Sequence, residues 1–249
     1  MLPHPTLAAH YATPEAKAEF VDRLFNEGAQ HYDSIVDWGF LHTGGSYRRW
    51  TLKRHGLKPG DRLLDVACGT GLVALEAAKV LGGAENITCI DPSEGMLACA
   101  RSKLRAHFVQ GRAESLPTAD NTFDFLSMGF ALRHVTSLED TFREFLRVLK
   151  PGGKVLILEI TKPKGRVASF AFRLYFSRIY PFLARVFTRS TAARDMMYYY
   201  WETMDACVPP ETVLQALSAA GLVNARRDLV IGLFSEYTAT KPLGDVVQS

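Results

Sequence analysis

The chain has few cysteines, and the four present (Cys68, Cys89, Cys99 and Cys207) form neither a CxxC pair nor a zinc-like spacing with histidine. That excludes a disulfide scaffold and a zinc module, and leaves small buried thiols in a reducing cytosol as the expectation. No uninterrupted apolar run reaches the ~18 residues of a membrane span, so none is expected to cross a bilayer. Met1 to His10 lacks the charged head and apolar stretch of a secretory signal. Repeats and low-complexity tracts are absent. With 29 Lys and Arg against 26 Asp and Glu, the formal charge of +3 is too small to argue for nucleic acid. A scarcity of another kind is local: Thr161 to Arg194 contains no acidic residue.

What is present is an ordinary globular composition, 47% hydrophobic and 22% charged over 249 residues. That length suits one large α/β domain with additions. The stretch Asp65-Val66-Ala67-Cys68-Gly69-Thr70-Gly71 organises it. It follows a buried-strand run, Arg62 to Val66, and precedes a helical run, Leu72 to Val80. Glycine in the turn permits positive φ and lets a ligand lie on bare backbone at a helix N-terminus. Asp91 ends the next predicted strand, Asn86 to Ile90, where a carboxylate can accept both hydroxyls of a ribose. A nucleoside-containing cofactor is therefore expected across these strand tips.

Taken in order, the chain begins with an arm containing Pro3, Pro5 and Pro14 that reads as loose. A helix is predicted over Glu15 to Gln30, a loop over His42 to Ser46, and a helix over Tyr47 to His55. Strands and helices then alternate: a helix Ser93 to Lys103, strands His107 to Gln110 and Phe123 to Met128, a helix Leu138 to Leu149, and a strand Lys154 to Ile160. Such alternation implies a parallel sheet covered on both faces. Thr161 to Arg194 interrupts it with eight basic residues interleaved with Phe and Tyr, and Pro181 divides two helices. Helices Asp195 to Asp205 and Pro210 to Ala220 follow, then strands Leu222 to Val230 and Phe234 to Thr240 as a hairpin. The expected fold is α/β: a seven-stranded Rossmann-like doubly wound sheet with a C-terminal antiparallel hairpin strand. Residues 1–56 form an N-terminal helical lid. Residues 57–249 form the main domain, with a helical insertion at 161–206 before strand 6.

Gly69, Gly71 and Ala74 also fit the G-x-G-x-x-A of a dinucleotide site, so the glycines alone leave the cofactor open. Asp65, ending the first strand, can fix the turn or contact an amino group. Only two strands follow the fifth, which argues against a second mononucleotide half.

Leu64 to Gly71 resembles motif I of class I S-adenosylmethionine methyltransferases, and Asp91 to Leu97 their second motif. Phe123-Asp124 with Arg147 to Gly153 resembles their fourth and fifth. More narrowly, Phe130 to Thr136 and Tyr32-Asp33 resemble the ubiquinone/menaquinone biosynthesis C-methyltransferase family, with a looser likeness at Tyr200 to Thr203 and Gly232 to Pro242. The resemblance implies S-adenosyl-L-methionine as cofactor, with Gly69, Thr70 and Gly71 holding its methionine part and Asp91 its ribose. It places Met96 on the adenine face or in the helix core, Arg112 and Ala113 beside the adenine, and Gly129 near the sulfonium. Arg112 stands where relatives carry Asp or Asn and cannot accept a hydrogen bond.

Methylation of a ring carbon needs an in-line approach and a base for the displaced ring proton. His134 stands where the quinone branch usually has Asn. It is either that base or a histidine bonded to a carbonyl. Arg133 either positions a phenolate oxygen or pairs with an acid such as Asp124. Tyr32, and after it His31 and His42, belong to a lid over the acceptor. The implied acceptor is a small aromatic or quinol-like molecule, lipid-tailed in the quinone branch; the alternatives are O- or N-methylation of a small aromatic or phospholipid headgroup and, further off, an NAD-dependent oxidoreductase or a non-catalytic cofactor-binding membrane adaptor. The basic-aromatic segment 161–194 reads either as a contact with anionic headgroups or as a lid with a solvated arginine face. The expected location is cytoplasmic, peripheral to the inner face of a membrane. No metal and no nucleic-acid partner are expected, and the oligomeric state is open.

Overall fold

The structure is a computed structural model that describes residues 1–39 and 43–244. The expectation for His42 lies outside them. Helices α1 (Pro14–Gly39) and α2 (Gly44–Arg54) precede the strands. Then come β1 (Leu63–Val66), α3 (Leu72–Leu81), β2 (Ile87–Asp91), α4 (Glu94–Arg101), β3 (His107–Gln110), β4 (Phe123–Gly129), α5 (Leu138–Val148) and β5 (Leu149–Ile160). The insertion supplies α6 (Arg166–Leu174), α7 (Tyr180–Thr188) and α8 (Thr191–Asp205), followed by α9 (Pro210–Ala219), β6 (Val223–Val230) and β7 (Phe234–Thr240). The sheet order is β3-β2-β1-β4-β5-β7-β6. Strands β1 to β5 pair in parallel, and β7 runs antiparallel to both β5 and β6. This is the expected seven-stranded Rossmann-like sheet, with β7 closing it as an antiparallel hairpin strand.

Every residue of β1 is buried, as a central parallel strand requires. Leu64 and Val66 face α5 and α9 through Phe142, Phe145 and Leu217. Leu63 faces the other way, onto Leu52 of α2 and Ala77 of α3. Burying a Leu or Phe of this kind contributes roughly 1.5–3 kcal/mol relative to exposure. The order reverses between β1 and β4, so the carboxyl ends of β1, β2 and β4 open the crevice where such sheets take ligands.

A third core joins α1 to the insertion through Leu24, Ile35, Phe172, Tyr180, Met196 and Tyr199. Gly28 makes the approach of α1 to α8 feasible, since a Cβ there would lie 2.8 Å from Met196 Sδ. Helix α1 runs to Gly39 instead of ending near Gln30, and α2 begins at Gly44, inside the predicted loop. Strand β5 also starts early, at Leu149. It passes through Pro151-Gly152-Gly153 as an irregularity in its pairing with β4. Between α6 and α7 the chain makes a π turn, Tyr175–Ile179. Pro181 has no N–H to close on the Ser177 carbonyl, so the ladder widens there.

The N-terminal arm is docked, not loose. Val208 N–H donates to the Pro3 carbonyl at 2.8 Å, and His4 and Tyr11 are buried. No described helix is long and apolar enough to cross a membrane.

Candidate functional site

The turn after β1 is built from backbone that only small residues adopt easily: Gly69 has φ +55° and Gly71 φ +80°. A Cβ on Gly69 would meet nothing within 4 Å, so bare backbone faces open space. Gly71 caps α3 with its own backbone. Asp91 ties this turn to the next one: its Oδ2 accepts Gly69 N–H at 2.7 Å and its Oδ1 accepts Ser93 N–H at 2.9 Å. Burial pushes the Asp91 carboxyl up to about 6, against the pull of those two amides. Spare lone pairs remain on both oxygens for a ligand.

Ser93 caps α4 by accepting Met96 N–H at 3.1 Å and gives its own proton to Asn26 Oδ1 at 2.8 Å. Gly95 N–H donates to the same Asn26 oxygen at 2.8 Å. Asp33 of α1 accepts from the Thr70 hydroxyl and pairs with Lys103. Asp22 pairs with Arg112. Asp22, Asn26 and Asp33 are four and seven residues apart, so one face of α1 is pinned over the turn. Sequence reasoning missed Asp22 and Asn26; their helical spacing was the available signal.

The cavity beneath this lid spans about 700 Å³ of space, part of it open to solvent. Its lining brings together Gly69, Thr70, Asp91, Met96, Gly129, Tyr32 and His134 from the sequence reading, and adds Phe25, Arg48 and Phe130. Asp65, Gly71, Arg112, Ala113 and Arg133 do not line it. Asp65 lies beneath the turn, where its Oδ1 accepts the Ser127 hydroxyl at 2.7 Å. Burial raises its carboxyl to about 7. Ala113 belongs to the core on the α5 side. At Gly129 a Cβ would lie 2.6 Å from Val73 Cγ2, so the residue is small for packing as well as for the cavity.

His134 sits on a short turn, Leu132–His134, after β4. Phe25 meets its ring edge-on at 5.1 Å and Tyr199 stacks at 5.5 Å. Neither ring nitrogen has a hydrogen-bond partner among the described residues. Burial, then the charge of Arg133, hold the imidazole well below its ordinary value, so it is neutral at pH 7. Burial raises the Tyr32 phenol, with Tyr200 adding to the shift, so Tyr32 keeps its proton. Arg133 corrects the expected partner. Its Nη1 pairs with Glu159 at 2.5 Å, while Asp124 is held by Lys150 at 2.8 Å. Lys17 donates to the Arg133 and Val135 carbonyls at 3.3 and 2.7 Å, fixing the turn that carries His134. Burial drives the Lys17 ammonium down to about 8.

A second, narrow and largely apolar chamber shares part of its lining with the first. Tyr32, Arg48 and Phe130 line both, and Phe176, Tyr180, Met197 and Tyr200 complete the second. Away from the cavity, His55, Asp228 and Glu236 lie close enough to share a cation, but Glu236 is already bonded by Tyr47, Thr51, Arg54 and His55.

The pattern of the ubiE/COQ5 methyltransferase family matches residues 13–241. The ubiquinone/menaquinone biosynthesis C-methyltransferase UbiE of Cellvibrio japonicus is 32% identical over 239 residues, 92% of this chain and 94% of its own. Among solved structures, phosphoethanolamine N-methyltransferase 2 of Haemonchus contortus in complex with S-adenosyl-L-methionine superposes with a TM-score of 0.64 at 19% identity. That match covers 91% of this chain and 60% of the other. A SAM-dependent methyltransferase of Aquifex aeolicus gives 0.53 at 20% identity over 93% of this chain and all of its own.

Proposed function

The chain belongs to the ubiE/COQ5 methyltransferase family and is an S-adenosylmethionine-dependent methyltransferase; from its cavities we propose that it C-methylates a hydroxylated, quinol-like ring. The observation that carries this reading is the second, narrow and largely apolar chamber, which shares Tyr32, Arg48 and Phe130 with the cavity that the neutral His134 lines. The first cavity fits the cofactor: open backbone at Gly69, a carboxylate at Asp91 with lone pairs to spare, and the apolar side chain of Met96. When bound, S-adenosylmethionine supplies an electrophilic methyl. Asp91 would hold the ribose hydroxyls, Gly69 and Thr70 the methionine part, and Met96 the adenine face.

On the acceptor side, His134 is the group able to take a proton, since its imidazole is neutral and its nitrogens are unpartnered. A ring carbon that gains the methyl must release its own proton, and His134, which lines the cavity, would collect it. Tyr32, kept protonated, donates a hydrogen bond to an acceptor oxygen. Arg133 does not reach the acceptor; paired with Glu159, it braces the turn that carries His134.

The relative in Cellvibrio japonicus carries a quinone-biosynthesis name, and the amphipathic insertion suits an acceptor with an apolar tail. Aromatics on its inner side close the second chamber. On the outer side Val167, Phe170, Phe182 and Phe187 are exposed among basic residues. We place the insertion against an anionic lipid surface through that outer face.

The test uses S-adenosylmethionine labelled in its methyl group and a membrane lipid extract. Label should enter an organic-soluble ring compound and survive hot hydroiodic acid, which cleaves methyl ethers but not ring carbon–methyl bonds. Label released by the acid, or confined to water-soluble products, would overturn the acceptor assignment.

A further inference from the structure

The guanidinium of Arg48 is a buried cation that the assigned roles leave unused. Arg48 is 6% exposed, and its Nε has no hydrogen-bond partner among the described residues. The ring of Phe130 faces its guanidinium at 5.4 Å. That contact is favourable, but small beside the cost of taking a guanidinium out of water. Asp33 and Glu76, which share an outer groove with Arg48, are engaged elsewhere: Asp33 by Thr70 and Lys103, Glu76 by Arg49 and Lys79.

The fold holds this cation firmly. On one face of α2, Tyr47 Oη and Thr51 Oγ1 donate to Glu236 Oε1 at 3.0 and 3.1 Å, while Arg54 and His55 meet Oε2 at 2.6 Å. A fully buried carboxylate on β7 thus fixes the helix, and Arg48, one residue on from Tyr47, is turned toward the lid interior. The helix start makes room for it, since a Cβ on Gly44 would lie 2.6 Å from Arg48 Nη1. That close approach gives a reason for glycine at the start of α2.

Building on the methyltransferase reading, we propose that Arg48 is the anion-holding residue at the junction of the two cavities, binding an oxyanion of a bound small molecule. Two sources carry that chemistry: the α-carboxylate of the cofactor's methionine part, and the ionised phenol oxygen of the acceptor. Arg48 lines both cavities, so it can serve either. A charge-assisted pair in such a buried place is strong because water competes poorly there.

Arg48→Gln and Arg48→Lys, with Gly44→Ala as a variant that crowds the guanidinium without removing it, separate the sources. Calorimetry with S-adenosylhomocysteine and with 5′-methylthioadenosine, which lacks the carboxylate, reads the first. The absorbance titration of 4-nitrophenol added to the protein–S-adenosylhomocysteine complex reads the second. If the cofactor carboxylate is the anion, Arg48→Gln weakens S-adenosylhomocysteine at least tenfold and leaves 5′-methylthioadenosine unchanged. If the acceptor oxygen is the anion, S-adenosylhomocysteine affinity holds, while the wild type's downward shift in nitrophenol ionisation disappears in Arg48→Gln and partly returns in Arg48→Lys. Gly44→Ala should show a smaller change of the same kind. Unchanged behaviour toward both probes in a folded Arg48→Gln protein overturns the proposal and leaves the methyltransferase reading standing. A wild-type protein that does not bind S-adenosylhomocysteine overturns that reading, and the proposal with it.

Discussion

The Arg133 guanidinium lies 3.8 Å from the centre of the Tyr200 ring while its Nη1 is paired with Glu159 at 2.5 Å. Both charges are buried, and each suppresses the cost of the other. Burial raises the Glu159 carboxyl, with the neighbouring guanidinium opposing it. Glu159 extends from β5, Arg133 from the turn after β4, and Tyr200 from α8, so one contact joins the sheet to the insertion. This explains why an arginine next to the candidate base does not face the acceptor.

Removing one member of that pair leaves the other charge uncompensated. Glu159→Leu and Arg133→Met should therefore each destabilise the protein by about 3–5 kcal/mol. Replacing both partners, Arg133→Met with Glu159→Leu, should recover most of that loss. Urea unfolding of the two singles and the double checks it; additive losses would show that the two charges are not coupled.

The partnership was not legible in the sequence, because Glu159 lies at the end of an apolar run with no local signal for a partner. The same limit hid the docked arm, whose Pro3 meets Val208 far along the chain. It also hid the length of α1, where His31, Asp33 and Ser34 look like a helix end until Thr70 and Lys103 supply partners for Asp33. What could be read was carried by local chemistry. Strand β3 and the helical run after Gly71 follow from apolar periodicity and turn glycines, and the hairpin from alternation around Gly232. The cavity lining followed the same division: Gly69, Thr70, Asp91 and Met96 come from contiguous motifs, whereas Phe25 and Arg48 reach the site by tertiary packing.

His134→Ala should lower turnover about 100-fold or more while leaving S-adenosylhomocysteine affinity nearly intact. Because burial and neighbouring cations hold the imidazole well below its ordinary value, the base form persists at low pH. At saturating cofactor, kcat should therefore keep its plateau down past about pH 6.5, the ordinary imidazole value. A half-drop at that pH, or full activity in the alanine variant, would assign the base elsewhere.

Asp65 gives a stability signature. Its folded carboxyl titrates near 7 because of burial, whereas an unfolded aspartate titrates at about 3.9. Between those values the folded chain binds the proton more tightly, so this residue's contribution to stability falls as pH rises. Asp65→Asn does not titrate. Relative to wild type it should gain stability from pH 4 to pH 8, by on the order of a few kcal/mol. Denaturant melts across that range check it, and a pH-independent difference would contradict the buried carboxylate's role.

The outer face of the insertion should bind anionic vesicles. Phe170 and Phe182 are 68% and 63% exposed, and no acidic residue lies between Thr161 and Arg194. Replacing both with Asp removes apolar insertion and adds repulsion. Co-sedimentation with phosphatidylglycerol vesicles should fall about tenfold or more. Equal sedimentation of wild type with phosphatidylcholine vesicles, or no effect of the double variant, would remove the lipid surface from the account.

The central claim is that a sulfonium nucleoside lies over the β1 and β2 tips with its sugar on Asp91. Calorimetric titration of wild type and Asp91→Ala with S-adenosylhomocysteine, with circular dichroism to confirm folding, tests it most directly. The account predicts one site on wild type and an affinity lowered by about 2–4 kcal/mol in Asp91→Ala. Equal affinity in the two folded proteins, or no heat of binding with wild type, would contradict it.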